Sequence, residues 1–199
     1  KTKKIELNLI DKIITKKINH SKAFFSLSKK IVGEDHKLKL SKVSNILKKY
    51  KSDYLFVSAP ENVAWLLNIR GSDNPNSPIP NCRLILSSKN KFFLVSNRSQ
   101  AKKLIAEKRL NNHQIINYKD LNCLFNKHKG KKIIIDNKTC SIFFENLLKK
   151  NLKIINKNDP IYLLKAIKNK NEIKNMIEAH IHDGVALTKF LYWMKISNK

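Results

Sequence analysis

The sequence predicts an α/β fold, a mixed sheet flanked by helices and followed by one long helix. Three observations predict it. Helix-like and strand-like segments alternate from Ser99 to Ile155, a hairpin pattern precedes them between Arg83 and Val95, and after Asp159-Pro160 the pattern changes to a sustained helical repeat.

The elements follow in order. From Lys37 to Tyr50, Leu38, Val43, Ile46 and Leu47 recur at helical spacing with lysines between them, which predicts an amphipathic surface helix. Tyr54 to Ser58 reads as a strand. Pro60 suits a first helical turn, preceded by Ser58, and opens the apolar run Val63, Ala64, Trp65, Leu66, Leu67, a short buried helix. Gly71 to Pro80 holds three prolines, a glycine and several Asn and Ser residues, so it is a loop. Arg83 to Leu86 and Phe92 to Val95 are strand-like and joined by the polar turn 87–91. Helices are predicted at Ser99 to Lys108, Lys119 to His128 and Cys140 to Lys150, and strands at Gln114 to Tyr118, Lys132 to Asp136 and Leu152 to Ile155. From Lys170 to Ile196, Ile173, Met176, Ile177, His180, Ile181, Gly184, Leu187, Thr188 and Leu191 fall at 3-4 spacing. About 25 residues at ~1.5 Å each reach nearly 40 Å, which suits the opening of a second domain better than a trailing element.

Composition narrows the class. A chain of 199 residues with 42% apolar content can bury a core. Its longest apolar stretches, such as Val63 to Leu67 and Ile133 to Ile135, fall far short of the roughly 20 residues a membrane span needs. The formal charge of +26 invites a nucleic-acid reading. Only four of the 41 basic residues are arginine, namely Arg70, Arg83, Arg98 and Arg109, and the bidentate guanidinium is the group that phosphate and base recognition favours. The lysines are spread evenly among many Asn and Ile residues, a trio expected from A/T-rich codons, so codon bias is preferred over nucleic-acid binding as the cause. Cys82, Cys123 and Cys140 form no CxxC pair and have no neighbouring His, which predicts free buried thiols in a cytoplasmic protein. Lys1 stands where a start methionine would, Lys1 to Lys4 precede no continuous apolar block, and the last residues are still amphipathic. Both ends therefore read as cuts through a longer chain.

Chemistry-bearing clusters are sparse. The densest is His180, His182 and Asp183 with Glu178 nearby, but on a helix these side chains point to different faces. His180 is expected at a core edge. His20, His36, His113 and His128 lie far apart, no HExxH or GxSxG motif exists, and no two of Gly33, Gly71, Gly130 and Gly184 are close enough to cradle a phosphate. No catalytic, substrate-binding or metal-binding residue is assigned. The most individual segment runs from Glu61 to Asp73, where the apolar stretch anchors a core, Gly71 permits a tight bend, and Arg70 and Asp73 are placed to pair or to cap loop backbone.

Ala64-Trp65-Leu66-Leu67-Asn68-Ile69-Arg70-Gly71-Ser72-Asp73 resembles the AWL-N-RGSD signature in the middle domain of the three-domain Xaa-Pro aminopeptidases. These are metallopeptidases of the creatinase and methionine-aminopeptidase-like pita-bread group. Leu164-Lys165-Ala166-Ile167-Lys168-Asn169, Glu172-Ile173, Met176 and Ala179 to Leu187 are similar to the start of that family's catalytic domain, and Asn8-Leu9-Ile10-Asp11 to the link between its first and middle domains. Asn175 stands where a glycine is common, and Lys16-Lys17 replaces an Asp-Arg-Pro-like stretch.

The resemblance implies a creatinase N-terminal-like domain with its preceding linker over residues 1–159, and over 160–199 the first helix of a truncated pita-bread domain. It implies a parent enzyme of the cytoplasm, a homodimer, that releases the N-terminal residue of peptides with proline second. Two divalent cations, typically manganese, would be held by two aspartates, a histidine and two glutamates, all downstream of Lys199. A substrate-contacting arginine of the first domain would lie upstream of Lys1. Arg70 is expected in an internal or interdomain ion pair, and this piece alone is expected to be inactive. The rival readings are a non-catalytic binding module of the same fold and a basic nucleic-acid-binding protein.

Overall fold

The computed structural model describes Ile13 and residues 22–197. The readings made on Lys1 to Lys4, Asn8 to Asp11, Lys16-Lys17 and His20 lie outside the described residues.

The centre is a six-stranded mixed sheet built from β2 (Tyr54–Val57), β4 (Arg83–Ser87), β5 (Phe92–Val95), β6 (Ile115–Ile116), β7 (Lys132–Ile135) and β8 (Lys153–Asn156), in the order β6-β5-β4-β2-β7-β8. The hairpin β4-β5 and the pair β2-β4 are antiparallel, while β2-β7, β7-β8 and β5-β6 are parallel. The sheet is mixed as expected, with its antiparallel strands at the centre and its parallel pairs toward both edges. Asn90, at φ +62°, lets the 87–91 turn close, with Ser87 N donating to Lys91 O at 2.7 Å.

Strand alternation sorts the apolar side chains into two cores. Leu55, Val57, Leu84, Leu86, Leu94 and Ile134 face one side, and Phe56, Ile85, Val95, Ile133 and Ile135 face the other. The first face is covered by α2 (His36–Lys49), α3 (Pro60–Leu67) and α4 (Arg98–Ala106), through Val43, Leu47, Val63, Leu66 and Leu104. The second is covered by α5 (Leu121–Asn126) and α6 (Ile142–Lys149), through Leu121, Phe125 and Leu148. The predicted strand at Gln114 to Tyr118 shortens to β6, since a 3-10 turn occupies 112–114 and a second precedes α5.

One sequence reading is corrected. Leu38 is 57% exposed, and the inward face of α2 is instead Lys39, Leu40, Val43, Ser44 and Leu47, with Lys39 at 1% exposure. The lysine is tolerated because its amine finds acceptors inside the fold. Ala59 holds the N-cap position of α3, while Ser58 Oγ shares a 2.7 Å hydrogen bond with Thr139 Oγ1.

Short elements absent from the sequence reading frame one corner. β1 (Phe25–Ser26) pairs antiparallel with β3 (Ile69–Arg70), and α1 (Lys29–Val32) follows β1 and ends at Gly33, φ +76°. Beyond Asp159, α7 (Ile161–Ala166) packs back on the first core through the fully buried Ile161. Then α8 (Lys170–Ser197) runs 28 residues as one helix, as predicted, and its residues 173–197 are all exposed. No described helix is long and apolar enough to cross a membrane.

Candidate functional site at the helix junction

The two stretches that stood out in the sequence meet where α8 begins. Asn169 Oδ1 accepts from the backbone N–H of Asn171 and of Glu172, both at 3.0 Å, and Glu172 Oε2 accepts from Asn169 N at 2.9 Å. Each residue thus satisfies helix-start donors that would otherwise lack partners, in the manner of a capping box. Asn169 Nδ2 also donates to Val32 O at 2.8 Å, and its side chain fills the space that a Cβ on Gly33 would occupy. Asn171 and Asn175 add bonds to Lys30 O and Ile31 O. Three asparagines therefore fasten one face of α8 to the carbonyls of α1.

Glu172 spends its other oxygen on the apolar segment, with Trp65 Nε1 donating to Oε1 at 3.2 Å. Beneath the indole lies Lys39, whose ammonium sits 4.0 Å from the ring centroid and donates to Trp65 O at 3.0 Å and Asn68 Oδ1 at 2.8 Å. Burial lowers the Lys39 pKa to about 8, opposed by the negative charges of Glu172 and Glu34. Asn68 closes α3 in the left-handed conformation, φ +55°, which Asn tolerates better than most residues, and donates to Glu34 O.

Past Asn68 the chain turns sharply. A Cβ on Gly71 would lie 2.7 Å from Pro80 Cα, so only glycine fits. Asp73 ties the loop ends, accepting from Asn81 N at 2.7 Å and Gln100 Nε2 at 2.8 Å. It is the loop cap that the sequence suggested, and not the partner of Arg70. Arg70 Nη1 instead donates to Ile69 O and Ala64 O, and among the described residues no carboxylate lies within salt-bridge distance of it. The expected ion pair is thus absent from the described residues.

A second link crosses the junction lower down. Asn62 Nδ2 donates to the buried Asp159 Oδ2 at 2.9 Å, and Lys165 Nζ donates to Asn62 Oδ1 at 2.7 Å. Burial pushes the Asp159 carboxyl above its usual range, and the hydrogen bonds from Ile161 N and Asn62 offset part of that rise.

The other candidate residues stay apart. His180 is exposed, with Nδ1 2.8 Å from Met176 O, rather than at a core edge. Glu178, His182 and Asp183 are exposed on the same helix. Among the described residues no three His, Cys, Asp or Glu side chains come together in a way that could hold a metal ion. These residues do not fit a pair of divalent cations. Cys82 and Cys140 are buried as expected, and burial pushes both thiols up, Cys140 to about 11, but Cys123 is exposed.

Comparison with known proteins decides the family. The profile described as Creatinase/Prolidase N-terminal domain matches residues 16–172. The chain belongs to that family. The match ends on Glu172, the residue that closes the cap of α8. Among curated relatives of this creatinase-type domain, Xaa-Pro aminopeptidase 1 of Dictyostelium discoideum is 35% identical over 184 residues, covering 87% of this chain and 27% of that protein. Xaa-Pro aminopeptidase ApepP of Drosophila melanogaster is 32% identical, covering 96% of this chain and 32% of that protein. The chain therefore spans less than a third of the length of either relative. The fold is that of an X-prolyl aminopeptidase from Caenorhabditis elegans, described as a cytosolic enzyme with a di-nuclear active site. That structure matches with a TM-score of 0.76 at 20% identity, over 96% of this chain and 32% of that one.

Proposed function

We infer that this chain is the scaffold portion of a metallo-aminopeptidase that releases the N-terminal residue from peptides with proline in second position. Residues 1–159 form the middle creatinase-like domain with its preceding linker, and residues 160–199 the start of a pita-bread catalytic domain, with α7 packed back on the first unit. The observation that carries this reading is the 35% identity to a Xaa-Pro aminopeptidase across 87% of the chain. The meeting of the two resembling stretches at Trp65 and Glu172 supports it, because a scaffold domain must hold the first catalytic helix in a defined place.

The chemistry lies with residues outside this chain. Two divalent cations, manganese by resemblance, would polarise the scissile carbonyl and lower the pKa of a bound water. Homodimer formation and a cytoplasmic location belong to the same reading. The test is the reading frame that follows residue 199 in the gene, which should supply two aspartates, a histidine and two glutamates in that order. A frame that lacks them favours a non-catalytic binding module of the same fold.

A further inference from the structure

Between α1, the end of α3, β3 and the start of α8 lies a groove of about 290 Å³, and its charges do not balance. Lys39, Arg70 and Lys168 line it on the positive side, and Glu172 is its single acidic residue. Both carboxylate oxygens of Glu172 are already engaged, by Trp65 Nε1 and Asn169 N. Lys39 is 1% exposed and Arg70 is half-buried, yet among the described residues neither has a carboxylate within salt-bridge distance. Buried charges are ordinarily paired, because an uncompensated one bears a large desolvation penalty. Burial is the first cause of the lowered pKa of both Lys39 and Arg70, and at Lys39 the more distant charges of Glu172 and Glu34 oppose it only in part.

The two cations differ in what they offer. Lys39 directs its protons at Trp65 O, Asn68 Oδ1 and the indole face, so it supplies charge from below. Arg70 uses only Nη1, on two carbonyl oxygens, and its Nε and Nη2 donors have no hydrogen-bond acceptor among the described residues. A planar fork with free donors, backed by a second buried positive charge, is the arrangement that recognises a carboxylate.

We propose that the groove is a carboxylate-binding site in which Arg70 takes the oxygens and Lys39 supplies the supporting charge. The carboxylate is either a small free acid or an Asp or Glu side chain of the parent protein outside this chain. A second copy of this chain is a poor source, since each copy carries a formal charge of +26.

The site is tested on the 199-residue chain by following the Arg70 Nε–H resonance while acetate or succinate is added, against chloride at equal ionic strength. The expected result is a saturable shift with either carboxylate and none with chloride, and loss of that shift when the neighbouring charge is removed in Lys39→Met. A shift that never saturates, or that chloride reproduces, is screening alone and overturns the proposal. An unchanged response in Lys39→Met overturns the supporting role of Lys39. In the full-length parent, an Arg70 resonance already at the bound position without added acid identifies an internal side chain, whereas one that moves only on addition identifies a free ligand. Peptidase activity is not read in either arm, so the outcome is independent of the proposed reaction.

Discussion

Trp65 Nε1 donates to Glu172 Oε1 at 3.2 Å, a single bond that joins the buried helix of the α/β unit to the first turn of α8 across 107 residues of sequence. The same carboxylate caps its own helix through Asn169 N, so one side chain serves both the docking of α8 and its first turn, alongside the asparagine contacts to α1.

Trp65→Phe keeps the aromatic surface over Lys39 and removes the donor. The expected cost is ~1.5–3 kcal/mol, the usual loss for a hydrogen bond to a charged acceptor. Hydrogen exchange should quicken most at the amides of Asn171 and Glu172. Equal protection in mutant and wild type would mean that the asparagine contacts to α1 hold the helix start unaided.

Lys39 gives the fold a defined pH dependence. Its folded pKa of about 8 lies below the ordinary lysine value of 10.5, so between those values the unfolded chain binds more protons and the Lys39 contribution to stability rises with pH. The rise is on the order of 3 kcal/mol across the window. Denaturant titrations of wild type and Lys39→Met at pH 7, 8, 9 and 10, taken as a difference, should show this slope, and a flat difference would contradict it.

Gly71→Ala places a methyl group 2.7 Å from Pro80 Cα, against backbone that cannot rotate away. A loss of ~1–3 kcal/mol is expected, as for overpacking a tight site. A Tm equal to wild type would show that the 71–80 loop moves at little cost.

Thiol accessibility separates the three cysteines. Cys123 is exposed while Cys82 and Cys140 are buried, so an aromatic disulfide reagent should label one thiol rapidly in the native protein and the other two only on unfolding. Rapid labelling of all three would contradict the burial of Cys82 and Cys140.

Much of the sheet was legible because strand residues such as Leu55, Ile85 and Ile134 carry strong local apolar patterns. The pairs that failed are instructive. Leu38 and Lys39 exchange roles because pattern reading assigns leucine inward, whereas Trp65 and Asn68, distant in sequence, supply what a buried ammonium needs. Two-residue strands such as β1 and β3 are too short to show any period. The start of α8 did carry a local signal, since Asn169-x-x-Glu172 ahead of an apolar repeat is a capping signature. The link from Glu172 to Trp65 carried none, because nothing local marks a contact made only when the chain folds. The resemblance to Xaa-Pro aminopeptidases brought the two segments into one account without indicating that they touch.

The proposed role of this chain as scaffold for a prolyl-specific metallopeptidase stands or falls on an assay of the full-length parent with manganese on a peptide with proline in second position. A matched peptide with alanine there and the 199-residue chain alone serve as comparisons. Release of the first residue from the proline peptide, by the parent only and only with divalent metal, is the predicted result. Turnover by the 199-residue chain, or none by the parent with any divalent metal, would contradict it.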